Sequence, residues 1–321
     1  MKQETKRLLA VNALYALIPV LLLLIPRLFA KAELEAYSTG YNTYMVLVEF
    51  GVIVLPTLLY FLTPWGRSVA RQFWAKKPGT SLLLMIPLAF CAYFAINGVT
   101  VVWFLILQAL GATSMPQTIV APQTGTQLGI GLAIIALSPA LCEEFFFRGT
   151  LQPMLHRQMK PWPAILLGGC LFGLVHGQLA ALPSHILLGV GLCLVAYWTR
   201  SIWYTVVWHV MQNGIAVVIS YFSGAILQAS ESMTGMDSTA VMAEQPLLML
   251  ISAGSMIAMF GAGTALFLVL LWVTTRRQRM QPIEHTEEKP QWLAWIPLVI
   301  AAGCIVYMYA TSGISMMGGG A

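Results

Sequence analysis

The chain of 321 residues is 58% hydrophobic and only 9% charged, with a mean hydropathy of +0.77. Because soluble domains carry about 25% charged residues, this composition excludes an ordinary soluble domain and indicates a protein of the lipid bilayer. The net charge of +5 is spread over loops and the five cysteines lie singly in apolar runs, which excludes a nucleic-acid binder, a disulfide scaffold and a thiolate metal cluster.

The distribution of apolar residues predicts the fold. A helix that crosses the hydrocarbon core of a bilayer needs about 20 mostly apolar residues. Runs of this kind predict an all-α, polytopic transmembrane helical bundle of about nine (eight to nine) spans, which forms a single membrane domain over residues 1–321. In chain order, the predicted spans are 8–28, 43–64, 81–109, 129–155, 162–181, 184–199, 203–223, 246–273 and 292–310.

The positions of lysine and arginine predict the orientation. With the N-terminus in the cytoplasm and nine spans, all of the 17 basic residues except Arg27 and Lys31 lie on the cytoplasmic side. This asymmetry is what the positive-inside rule requires. We therefore expect a multi-pass protein of the cell membrane, either a bacterial inner membrane or its equivalent, whose surroundings are lipid.

Ionisable residues inside spans are costly, and each one needs a partner or a purpose. Away from span ends they are Glu49, Glu143, Glu144, Arg148, His176 and His209. Five of them fall between positions 143 and 209, so we expect a catalytic core at 129–223 and peripheral spans at 1–110 and 246–310. We expect Glu49 to line a cavity or to have a structural role, and His156 and His185 to be interfacial.

The fourth span carries two adjacent carboxylates with separable roles. Glu144 and Arg148 are four residues apart, in the favourable order for an ion pair on a helix, whereas Glu143 points about 100° away. We expect this helix to continue past Arg148 to about Leu155, because Glu143 then reaches the middle of the membrane. An alternative is that all three groups form one buried cluster that only fixes helix packing.

Two further pairs each lie one helical turn apart: Phe172 with His176, and His209 with Asn213. Taken alone, each pair is also consistent with a polar packing contact between helices. Together with Glu143, they supply a general base, two imidazoles and a carboxamide, which is a set suited to hydrolysis by water. This hypothesis requires the Glu143 carboxyl to lie within about 8 Å of an imidazole.

The pattern Glu-Glu-x-x-x-Arg, then Phe-x-x-x-His, then His-x-x-x-Asn resembles the CPBP family of intramembrane proteases. That family includes the type II CAAX prenyl endopeptidases and the Abi bacteriocin-immunity proteins. The resemblance covers roughly 135–215, including the glycine-rich stretch 187–192 and the turn at 197–203. The residues that carry the motifs are Glu143, Glu144, Arg148, Phe172, His176, His209 and Asn213.

The resemblance implies an endopeptidase that cleaves a membrane-associated or transmembrane peptide and has no nucleic-acid partner. It implies that Glu143 activates water, with Phe172 as a supporting residue. His176, His209 and Asn213 would then line the site and stabilise the tetrahedral oxyanion, and Glu144 and Arg148 would hold their helix in register.

Several alternatives remain open at this stage. The family has been described both as zinc-dependent and as metal-free, and Glu143, His176 and His209 could bind Zn²⁺. The absence of an H-E-x-x-H helix and the nearby Arg148 favour a glutamic mechanism without a cofactor. A transporter that uses the same polar cluster as a proton relay, and an immunity or scaffold protein that binds a peptide without cutting it, are rival functions.

Overall fold

The computed structural model describes residues 2–28, 35–68, 77–112, 121–234, 245–279, 286 and 288–316. Within these ranges the chain is helical and contains no strand. Eight helices are long and apolar enough to cross a membrane, and one shorter apolar helix, Pro161–Val175, corresponds to the remaining predicted span. The prediction of a polytopic helical bundle is confirmed.

The helices correspond one to one with the predicted spans, and we number them in chain order. They are α1 Gln3–Leu28, α2 Thr39–Phe61, α3 Thr80–Ala109, α4 Gly125–Gln158, α5 Pro161–Val175, α6 Leu182–Thr199, α7 Ile202–Thr234, α8 Pro246–Thr274 and α9, which begins with a 3₁₀ turn at Trp292–Trp295 and continues through Ile296–Met316. The orientation of the N-terminus stays a prediction.

Three π-helical segments interrupt α2, which carries Glu49, and α4, which carries Glu143 and Glu144. One is Leu47–Val54 within α2, and the others are Leu132–Leu137 and Phe147–Leu151 within α4. Such segments are rare and frequently mark functional sites, because they turn the following side chains away from a regular helical face. In α4 they flank the stretch Ser138–Phe146 that contains both glutamates.

Helix α4 continues through Arg148 to Gln158, as expected. Glu143 consequently lies fifteen residues before the end of α4, and His176 follows the fifteenth residue of α5, which starts on the far side of a short turn. Both residues therefore lie about 22 Å along their helices from that turn, at 1.5 Å per residue. Because Glu143 and His176 lie at the same distance from the turn, their side chains can come together.

Glycines set the separation between α5 and α6. A Cβ atom placed on Gly169 would lie 2.5 Å from the backbone nitrogen of Val190, and one on Gly173 would lie 2.7 Å from that of Ile186. Small residues allow such close backbone approach between membrane helices. The two helices form an antiparallel hairpin with a short tip, since α5 ends at Val175, six residues earlier than predicted.

Two peripheral helices, α1 and α9, donate hydrogen bonds to backbone carbonyls of α5. The hydroxyl of Tyr15 on α1 donates to the carbonyl of Leu171, at 2.9 Å, and the hydroxyl of Tyr309 on α9 donates to that of Gly173, at 3.3 Å. Both hydrogen bonds help to hold α5 in place. Helix α8 packs mainly along α3 and leaves most of its surface exposed to the surroundings of the protein.

Candidate active site

Glu144 and Arg148 form an ion pair with no exposed side-chain surface. The Nη1 atom of Arg148 donates to Oε1 of Glu144 at 2.9 Å, and Nη2 donates to the carbonyl of Gly189 on α6 at 3.1 Å. The guanidinium carbon also lies 4.5 Å from the ring centroid of Phe172, within the range of a cation–π contact. Arg148 thus ties α4 to both members of the α5–α6 hairpin.

His209 on α7 completes this group. Its Nδ1 atom lies 2.9 Å from the same Glu144 oxygen that Arg148 contacts. Because a carboxylate only accepts hydrogen bonds, Nδ1 carries the proton and donates it. The other ring nitrogen, Nε2, faces Oε2 of Glu143 at 4.0 Å.

His176 caps the C-terminal end of α5 and approaches Glu143 from the opposite side. Its Nδ1 atom lies 2.8 Å from the carbonyl oxygen of Phe172, and its Nε2 atom lies 4.0 Å from Oε1 of Glu143. A carbonyl oxygen also only accepts, so the proton of this imidazole is on Nδ1 when the ring is neutral. The distances satisfy the requirement that Glu143 lie near the imidazoles.

The exposure of these side chains is graded. His176 has 23% of its side chain exposed and Glu143 has 12%, whereas His209 has 3% and Glu144 none. The ring of Phe172 lies between the imidazoles, with centroids 5.0 Å from His176 and 5.7 Å from His209. A reactant would therefore approach from the side of His176 and Glu143.

Asn213 has a partner outside this group. Its side-chain nitrogen donates to the carbonyl of Ile135 at 3.2 Å. This hydrogen bond ties α7 to the π-helical part of α4. The described hydrogen bonds of Asn213 do not join it to Glu143 or the imidazoles.

Comparison with known protein families gives one match. Residues 125–215 match the family described as "Rce1-like: Type II CAAX prenyl endopeptidase Rce1-like", and all seven motif residues fall inside this range. The resemblance to the CPBP and CAAX protease family is confirmed. The matched CPBP segment runs from the start of α4 into α7. No curated protein and no solved structure matches the chain.

Two ionisable side chains outside the family motifs also lie next to motif residues. Glu49, on the π-helical part of α2, is 5% exposed and interacts electrostatically with Glu143, and its Oε2 atom is buried without a hydrogen-bond partner among the described residues. The ring of His185 on α6 stacks on His176 with centroids 4.1 Å apart and planes inclined by 18°.

Neither Glu49 nor His185 belongs to a sequence motif. The contact of His185 with His176 could have been predicted only from their nine-residue separation across the turn between α5 and α6, because antiparallel helices bring such positions together. We expected His185 to be interfacial and did not predict that it stacks on His176. His156, also expected to be interfacial, is fully buried and lies 3.2 Å from the side-chain nitrogen of Gln152.

The residues suggested for zinc do not fit that ion as they are arranged. Two donors bound to one tetrahedral Zn²⁺ at about 2.0–2.1 Å lie about 3.3 Å apart. The distances from Glu143 to the imidazole nitrogens are 4.0 Å, and the described residues contain no group of three or more histidine, cysteine or acidic side chains arranged to hold a metal.

Proposed function

We propose that this protein is an intramembrane endopeptidase in which Glu143 activates the attacking water. The observation that carries the proposal is the position of the Glu143 carboxyl, with one oxygen facing Nε2 of His176 and the other facing Nε2 of His209, both at 4.0 Å. The Nδ1 atoms of the two rings are fixed by other partners. Both Nε2 atoms are therefore directed at one reaction space.

The spacing suits a water molecule between Glu143 and His176. With hydrogen bonds of about 2.8 Å to each, one water bridges a gap of 4.0 Å. Because neutral His176 carries its proton on Nδ1, its Nε2 atom accepts a hydrogen bond. The water donates one hydrogen to Glu143 and the other to His176, which leaves an oxygen lone pair to attack a carbonyl carbon.

The reaction is general-base hydrolysis of a peptide bond. As the water oxygen bonds to the scissile carbon, its proton moves to Glu143 and the carbonyl π electrons move to the oxygen. When the tetrahedral intermediate collapses, the C–N bond breaks and Glu143 delivers this proton to the leaving nitrogen. The products are a carboxylic acid and an amine, and the carboxylate of Glu143 is restored.

His209, in its protonated form, stabilises the oxyanion by donating from Nε2. The Glu144 carboxylate, which contacts Nδ1 of the same ring, stabilises the imidazolium. Glu144 and Arg148 place opposite charges side by side, which limits the cost of keeping them out of water. The second amide hydrogen of Asn213 is available to support the oxyanion.

The substrate class follows from the family and the surroundings of the site. The matched family is described as a type II CAAX prenyl endopeptidase, and α4, α6 and α7, which carry or border the site, are long and apolar enough to cross a membrane. We propose a membrane-associated or transmembrane peptide substrate, a cell-membrane location with the N-terminus in the cytoplasm, and a catalytic core at 129–223.

The test is cleavage of a peptide library that includes prenylated and unprenylated membrane peptides. The purified protein in detergent is compared with Glu143→Gln, each with and without a chelator. We expect cleavage by the wild type that persists with chelator and falls at least about 100-fold in Glu143→Gln. Loss with chelator would overturn the metal-free mechanism and favour zinc. Absence of cleavage across the library would refute the endopeptidase proposal and favour the carrier or the peptide-binding scaffold.

A further inference from the structure

The tip of the α5–α6 hairpin carries two histidines in face-to-face contact. Close packing at Gly169 and Gly173 fixes the register of the two antiparallel helices. One turn further along, this register brings His185 onto His176, with ring centroids 4.1 Å apart and an angle of 18° between the planes. The contact between the two rings therefore follows from the packing of the two helix backbones.

Few of the described contacts can fix the plane of the His176 ring. Its Nδ1 atom is held by the Phe172 carbonyl, a hydrogen bond that fixes the position of one ring atom. The ring of Phe172 meets the imidazole at 61°, with centroids 5.0 Å apart. His185 is the described ring that covers a flat face of His176.

We propose that His185 is a positioning residue, which fixes the plane of the His176 imidazole so that Nε2 faces Glu143. The inference rests on the proposed function and deepens it. His176 is the most exposed of the side chains around Glu143, so it is the one whose orientation depends most on a stacked neighbour. A small error in its position is costly, because misplacement by about 1 Å can reduce turnover about 100-fold.

His185 acts in this proposal through the flat face of its ring and not through its proton. Its Nδ1 atom is buried and has no hydrogen-bond partner among the described residues. An aromatic ring without nitrogen can therefore replace it. The comparison of His185→Phe with His185→Ala separates a stacking surface from a titrating group.

The kinetic test measures kcat and KM on a cleaved membrane peptide. We expect His185→Ala to lower kcat about 10- to 100-fold with KM nearly unchanged, and His185→Phe to stay within about threefold of the wild type. The matched control is Leu187→Ala, two residues along the same helix with 44% of its surface exposed, and it should leave both constants unchanged. Normal turnover in His185→Ala, or equal loss in both His185 variants, would overturn the proposal.

A second measurement does not depend on catalysis. The chain contains five histidines, so ¹⁵N-histidine labelling in detergent gives a spectrum in which His176 is assigned by its loss in His176→Gln. We expect a single Nδ1-protonated signal for His176 in the wild type and in His185→Phe, and an exchange-broadened or shifted one in His185→Ala. An identical His176 signal in all three would refute the positioning role even if no substrate were cleaved, whereas failure of cleavage with the expected spectra would count against the proposed function alone.

Discussion

The Nδ1 atom of His209 and the Oε1 atom of Glu144 lie 2.9 Å apart although the residues are separated by 65 positions in the chain. The same oxygen accepts from Nη1 of Arg148, also at 2.9 Å. One carboxylate oxygen therefore orients the His209 imidazole and balances the charge of a buried guanidinium. In the mechanism that we propose, this leaves Glu143, the adjacent glutamate, to act on water.

Replacement of Glu144 tests this double role. We expect Glu144→Gln to lower the free energy of unfolding by about 3–5 kcal/mol, because it leaves the buried charge of Arg148 without a counter-ion. The measurement is thermal unfolding in detergent. The control is Arg67→Gln, whose guanidinium donates to the carbonyl of Leu62 at an exposed position and where a change of no more than about 0.5 kcal/mol is expected. Equal destabilisation by the two variants would contradict the assigned role of Glu144.

The two interior carboxyl groups are expected to differ in their effect on turnover. Glu143 faces both imidazoles, whereas Glu49 reaches Glu143 only through electrostatic interaction. We expect Glu143→Gln to lose at least about 100-fold in kcat and Glu49→Gln, which keeps shape and polarity, to lose no more than about threefold. Comparison of both variants on one substrate checks this, and the reverse order would move the general base to Glu49.

The glycine contacts between α5 and α6 should be sensitive to a single methyl group. At Gly169 and Gly173 an added Cβ would meet backbone atoms, so we expect each alanine variant to lose about 1–3 kcal/mol of stability. Gly261→Ala on α8 is the control, because nothing lies within 4 Å of the added atom. Unfolding curves in detergent measure the difference. Tolerance at both α5 positions would show that the helices are not held by this close approach.

Removal of the Tyr15 hydroxyl tests whether α1 helps to hold α5, the helix that carries His176. We expect Tyr15→Phe to cost about 1 kcal/mol, because the carbonyl of Leu171 loses a buried donor. Tyr307→Phe is the matched control, since the Tyr307 side chain lies on α9 and is 53% exposed. The difference between their unfolding midpoints gives the result, and no difference would assign α1 no role in holding α5.

Much of the fold could be predicted because hydropathy is a local property. Each predicted span corresponds to a helix, and most boundaries lie within about five residues. The exceptions are three C-terminal ends: that of α5 lies six residues earlier than predicted, and those of α7 and α9 lie eleven and six residues later. The predicted fifth span continues from 176 to 181, but the chain turns at Gly177, whose φ of +65° a helix does not allow. The mean hydropathy of a span does not register a turn made at a single glycine.

The candidate site divides in the same way. The spacing of Glu144 with Arg148 and of Phe172 with His176 already determined which side chains share a helical face, because helical geometry repeats every 3.6 residues. Only the tertiary structure decided which faces meet. The stacking of His185 on His176, the electrostatic interaction of Glu49 with Glu143 and the hydrogen bond of Asn213 to the carbonyl of Ile135 all join different helices. Their positions depend on glycine packing, π-helical segments and helix register. These features bring together residues that are far apart in the chain, and a local sequence pattern does not predict such contacts.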